Sequence, residues 1–189
     1  MVSAVENRGR LHPHKFLLWI GMASIVMLFA GLTSAYVVKR SFANWMEFSL
    51  PKIFWVSTGV ILLSSLTVHL AVKKFKARER KEYRLLITLT AFLGVVFALL
   101  QLYGFFQLEA RGIRIFGDGS NASASFLGVI TGLHALHVLG GVTALLVMFF
   151  RAYGKRVKRY DATPIEMAAI YWHFVDLLWL YLFIFFSLT

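Results

Sequence analysis

The sequence predicts an all-α membrane protein, a bundle of five transmembrane helices, on two observations. Of the 189 residues 59% are hydrophobic and 15% charged, against about a quarter charged in a soluble globular domain. The charges are also gathered into short clusters between five apolar runs, at about 16–38, 53–72, 85–108, 126–150 and 165–188. Each run is near the roughly 20 residues that cross hydrocarbon as a helix.

Residues 1–15 are polar and basic, and the run that follows is longer than a signal-peptide core and lacks a small-x-small cleavage site. It is expected to stay as an anchor. The second and third runs are joined by a basic segment from Lys73 to Arg84, and the fourth and fifth by another from Arg151 to Arg159. Short connections make neighbouring helices antiparallel and predict one transmembrane domain over 1–189. With the N-terminus, these segments hold 15 Lys and Arg against 5 on the other side. The positive-inside rule therefore predicts a cytoplasmic N-terminus and a periplasmic C-terminus, with Lys39, Arg40 and Lys52 outvoted.

The third connection, 109–125, carries Gly117-Asp118-Gly119-Ser120-Asn121, a turn-rich stretch expected to cap the outer face. Asn121-Ala122-Ser123 matches a glycosylation acceptor, a short pattern that arises mostly by chance.

The net charge of +11 reads as topology and contact with anionic lipid headgroups, not as nucleic-acid binding, because the cations flank apolar spans. The chain has no cysteine, which excludes disulfides, iron–sulfur clusters and thiolate metal sites.

Ionisable groups in hydrocarbon need a partner or a task. His134 and His137 fall mid-span in the fourth run, His173 and Asp176 in the fifth, and Glu166 at the fifth run's inner end. Each His-x-x-His or His-x-x-Asp pair shares one helix face. Counted from the inner ends, His137 is about 13 residues deep and Asp176 about 12, roughly 20 and 18 Å at 1.5 Å per residue. The expectation is an interhelical polar network of His134, His137, Glu166, Trp172, His173 and Asp176 that joins the last two helices. A metal site, a proton relay, or a haem held between His137 and His173 is the competing reading.

Four small-xxx-small pairs, Gly31/Ala35, Gly94/Ala98, Gly128/Gly132 and Gly140/Ala144, mark expected close helix approaches. Trp45, Trp55 and Tyr103 read as interfacial anchors, Trp172 and Trp179 as filling between helices. His69 reads as interfacial, His12 and His14 as solvated.

The last two runs carry a family signature. Residues 131–138 (TGLHALHV) resemble the TGFHGLHV stretch of haem-copper oxidase subunit III, and 171–179 (YWHFVDLLW) its YWHFVDVVW stretch, with Glu166 seven residues before His173 as in that family. Upstream, 24–36 (SIVMLFAGLTSAY) is similar to the family's SEVLFFTGFFWAF helix and 99–101 to its LLQ. Two carboxylates of the family pattern are replaced, by Ile25 and Gly104, so no proton-moving role carries over to them. The long form has seven helices and these five resemble its last five, which leaves its lipid-filled cleft absent or completed by a neighbouring subunit.

The resemblance implies a non-redox accessory subunit of a proton-pumping terminal oxidase, cytochrome c oxidase foremost, in a bacterial cytoplasmic membrane. It implies no catalytic, metal or cofactor site on this chain, haem and copper on the catalytic subunit I, other oxidase subunits as partners, and bound phospholipid. It leaves open membership of a larger respiratory supercomplex and whether the donor is cytochrome c or quinol. A nitric oxide reductase accessory subunit is the alternative within the family. A small transporter or proton channel is the alternative of another class, for which the scattered Thr33, Ser34 and Gln101 offer little water-lined path.

Overall fold

The computed structural model describes residues 13–41, 50–110, 112, 122–154 and 162–188. The expectations for His12, Trp45, the turn at 117–121 and Asn121 lie outside these residues. Within them the chain forms five helices and no strand: α1 (Pro13–Arg40), α2 (Ile53–Lys76), α3 (Arg80–Ala110), α4 (Ala122–Tyr153) and α5 (Thr163–Leu188). The shortest has 24 residues, about 36 Å at 1.5 Å per residue, which exceeds the roughly 30 Å of hydrocarbon. All five are long and apolar enough to cross a membrane.

The helices extend past the apolar runs into charged segments. Lys73, Lys74 and Lys76 occupy the last turn of α2, the sign that the helix dipole favours there, while the first turn of α3 mixes Glu82 with Arg80 and Lys81. Between these helices Arg78 turns the chain at φ 62, a left-handed conformation uncommon for a residue with a Cβ. The turn is closed by the Arg78 N–H donating to the Phe75 carbonyl at 3.0 Å and by Lys74, which pairs with Glu79 at 2.6 Å and also with Glu82. Lys74 holds the Glu79 carboxyl below its ordinary value.

Helices α2 to α5 close a four-helix unit in which α2 meets α3 and α5, and α4 meets α3 and α5. Helix α1 lies outside it against α4 and α5 and touches neither α2 nor α3. The core has the same two parts. Ile61, Ile87, Phe97, Leu145, Trp172 and Val175 are buried in the four-helix unit, while Phe29 and Tyr36 of α1 pack on Ile130, Leu178 and Leu182.

Candidate functional site

Hydroxyl groups of α2 bind polar groups of both α5 and α3 in the interior. Trp172, fully buried, donates its indole N–H to Ser64 Oγ at 3.0 Å. The Ser64 hydroxyl in turn reaches the Thr90 carbonyl of α3 at 3.5 Å. Two helical turns further out, the Trp179 indole N–H donates to Thr58 Oγ1 at 3.0 Å. Gln101 of α3 donates to Ser57 Oγ at 3.1 Å, and Thr67 and Thr90 join their hydroxyls at 2.8 Å.

Glycines make room for these rings. A Cβ on Gly141 would lie 2.8 Å from Trp172 Cε3, and one on Gly94 3.0 Å from its Cη2. The indole is therefore clamped between α3 and α4 while its N–H is held by α2. Close approach in the membrane takes the place of the hydrophobic drive that lipid removes.

The small-xxx-small pairs do not act as pairs. A Cβ on Gly31 or Gly132 would meet nothing within 4 Å, and one on Gly140 only the Tyr171 hydroxyl at 3.5 Å. The alanines Ala35, Ala98 and Ala144 are each only half-buried, Ala144 at the margin of the main core. Gly94 and Gly128 alone among the eight are buried. The expected close approach is thus corrected at Gly31 and Gly132, and at Gly140 it is reduced to one ordinary contact.

The reason is rotational. At 3.6 residues per turn, position i+4 stands about 40° round the helix from position i, so the spacing sets two small residues near one face without fixing which helix that face meets. The tight approaches fall instead at Gly94, Gly141 and Gly104. At Gly104 a Cβ would sit 2.7 Å from Phe54 Cζ, so a larger side chain there would have to displace the Phe54 ring. Ile25 lies partly buried against the α1 cluster.

The six residues expected to form one network are divided among different neighbours. His173 faces α2, its Nδ1 2.6 Å from Ser65 Oγ and its ring 6.2 Å from that of His69. Asp176 is buried with neither carboxyl oxygen hydrogen-bonded among the described residues. His134 is buried, stacked on Trp179 at 5.4 Å, and neither ring nitrogen has a hydrogen-bond partner among the described residues.

His137 turns back to its own helix, Nδ1–H donating to the Leu133 carbonyl at 2.7 Å. A carbonyl only accepts, so this bond fixes the Nδ1-protonated form. Its ring meets Phe29 of α1 edge-on at 5.8 Å. The contact between α4 and α5 at this level is instead the Tyr171 hydroxyl donating to the His137 carbonyl at 3.2 Å.

The expected junction of His137 with Asp176 is thus corrected, and so is a haem held between His137 and His173. Rise per residue gives depth along the bundle and says nothing of azimuth. Azimuth turns His137 to α1 and His173 to α2, two helices that do not touch. Among the described residues no three His, Asp or Glu gather as a metal site.

Glu166 works at the end of the bundle where α1 and α5 begin and α2 finishes, and there Lys15 of α1 and Lys76 of α2 both pair with it, at 2.6 and 2.7 Å. One carboxylate thereby ties α1, α2 and α5. His69 is exposed on α2. Trp55 is 67% exposed yet packs edge-on against Phe183 at 4.9 Å.

The hydroxyl partners on α2 were not singled out by sequence reasoning. Their signal is the spacing Ser57/Ser64 and Thr58/Ser65, seven apart, which sets serine and threonine on the side of α2 that meets the tryptophans.

The family model described as cytochrome c oxidase subunit III matches residues 16–188. Cytochrome c oxidase subunit 3 of Bacillus sp. (strain PS3) is 29% identical over 188 residues, 96% of this chain and 89% of the relative. A probable cytochrome c oxidase subunit 3 of Nocardia farcinica is 32% identical over 183 residues, 94% of this chain and 87% of the relative. A longer one from Rickettsia prowazekii is 36% identical over 167 residues, 82% of this chain and 55% of the relative. This multi-pass membrane protein belongs to the cytochrome c oxidase subunit III family.

Proposed function

We propose that the chain is the non-redox accessory subunit III of a proton-pumping haem-copper terminal oxidase of the cytochrome c type, in a bacterial cytoplasmic membrane. The observation that carries this is the family match over 16–188. The geometry supports an accessory, structural role, because the Trp172 and Trp179 indoles fill the space between α2 and α5 and are held by hydroxyls of α2. On this reading the whole chain is a single domain with a cytoplasmic N-terminus, and Lys15, Lys76 and Glu166 lie at the cytoplasmic end. Haem and copper are carried by the catalytic subunit, which this chain steadies and helps to take up protons, and phospholipid fills the remaining apolar surface.

The test is to tag the chain, extract it from native membranes in mild detergent, and record the visible spectrum and subunit composition. An a-type haem spectrum with copper and a large polytopic subunit is expected. A colourless preparation of this chain alone would contradict the proposal, and quinol without cytochrome c as reductant would reassign the donor.

A further inference from the structure

Helix α5 is left open along one side. Because α1 and α2 each pack on α5 without touching one another, a channel runs between them with α5 as its floor. Leu177 and Ile184 of that floor are 68% and 55% exposed. From Glu166 to Leu188 the floor runs 22 residues, about 33 Å at 1.5 Å per residue, the full thickness of the hydrocarbon.

The channel is polar at three depths. At the inner end Lys15 and Lys76 share Glu166, which leaves one net positive charge. Seven residues along α5, about 10 Å deeper, are His173, Ser65 and the exposed His69. His69 has no hydrogen bond among the described residues. About 22 Å from Glu166 the Tyr181 hydroxyl, on a residue 44% exposed, bonds Thr33 of α1 at 2.8 Å.

A surface facing acyl chains is not built this way. The outward side of α3 exposes Leu85, Leu89, Phe92, Val95, Leu99, Leu102 and Phe106, with Tyr103 as the one polar-tipped ring among the exposed large side chains, toward one end. A phospholipid in the channel would meet the inner charge with its headgroup but would set an acyl chain against the histidines, where no hydrogen bond is on offer.

We propose that this channel seats one transmembrane helix of another oxidase subunit, bearing a hydrogen-bonding side chain opposite His69 and His173 and an acidic group near its inner end. This rests on the subunit reading above. The occupant is a helix, not a headgroup ligand, because the polar groups are spread over the depth of the membrane.

With no cysteine in the chain, Leu177→Cys and Leu99→Cys each give one attachment point for a benzophenone photo-crosslinker, used on the tagged complex in native membranes. The copurified haem spectrum reports separately whether the subunit reading holds. At position 177 the expected product is a crosslink mapped by mass spectrometry to a membrane-spanning segment of a copurifying oxidase subunit, and at position 99 a lipid adduct. Leu177→Trp should lower recovery of that subunit by about tenfold, while Leu99→Trp changes it less than about twofold. Only lipid adducts at position 177 in an intact, haem-bearing complex, or equal recovery with the two tryptophan variants, would overturn the proposal.

Discussion

The four-helix unit and the α1 attachment are two different solutions to holding helices together in lipid. In the first, the large indole of Trp172 is pressed into two glycine slots and its one polar atom is spent on Ser64. In the second, α1 is joined by a smaller apolar cluster of Phe29 and Tyr36 on Ile130, Leu178 and Leu182, with an ion pair from Lys15 at one end, the Thr33 to Tyr181 hydroxyl pair, and aromatic edges around Tyr36. Of the most apolar stretch of each helix, 44% is buried in α5 and 17% in α1. Shape complementarity fixes the unit, whereas α1 is held by this smaller contact and keeps most of its surface free.

The sharpest way to break this contrast is Gly141→Leu. Its Cβ alone comes within 2.8 Å of a rigid ring that α2 and α3 also hold, so overpacking should cost about 1–3 kcal/mol or more. A denaturant titration in detergent micelles reads it, with Gly140→Ala, beside only the Tyr171 hydroxyl, as a nearly neutral companion. Equal midpoints for the two variants would show that no clamp exists.

Trp172→Phe comes next. It deletes the N–H donated to Ser64 and opens space between Gly94 and Gly141, with an expected loss of about 1–3 kcal/mol in the same titration.

Tyr181→Phe should affect α1 alone. Interhelical hydrogen bonds in membranes average about 0.6 kcal/mol, so the global midpoint should hardly move. Hydrogen exchange in α1 should quicken while that in α2 to α5 stays unchanged.

The smallest effect is expected at the turn between α2 and α3. Lys74 lowers the Glu79 carboxyl pKa in the folded chain, so the pairing stabilises the turn above the ordinary value of 4.5 and is lost as pH falls through the lowered folded value. Amide exchange at Glu79 and Arg80 should therefore quicken, beyond its intrinsic pH dependence, only below pH 4.5. Unchanged protection there would show that Lys74 pairs too weakly to matter.

The elements that sequence made legible are those set by transfer into hydrocarbon. Five runs of sufficient length and the charges between them give five helices, because every backbone group in lipid must be bonded within its own segment. The candidate site was legible in residue type and depth, since rise per residue is constant. It was not legible in direction. His137 satisfies itself on Leu133 and His173 reaches Ser65, choices made by helix rotation and by which neighbour offers an acceptor.

The glycine patterns show the same limit. Gly31 and Gly94 each stand four residues before an alanine, yet a Cβ would be free at Gly31 and would strike Trp172 at Gly94. Their alanines, Ala35 and Ala98, are half-buried alike, so the pattern itself carries no sign of which helix is approached. Only the partner helix distinguishes them. Gly104, notable in the sequence as a missing carboxylate, lies so close to the Phe54 ring that a Cβ there would have to displace it.

On the reading proposed above, this chain steadies a redox complex through a packed interior and holds no redox group itself. That division of labour is tested by purifying the complex through a tag on this chain, wild type and Gly141→Leu, and comparing yield with the visible spectrum normalised to haem. A lower yield with unchanged haem bands is expected. A shift of those bands would place a haem against the α4–α5 interior and contradict the reading.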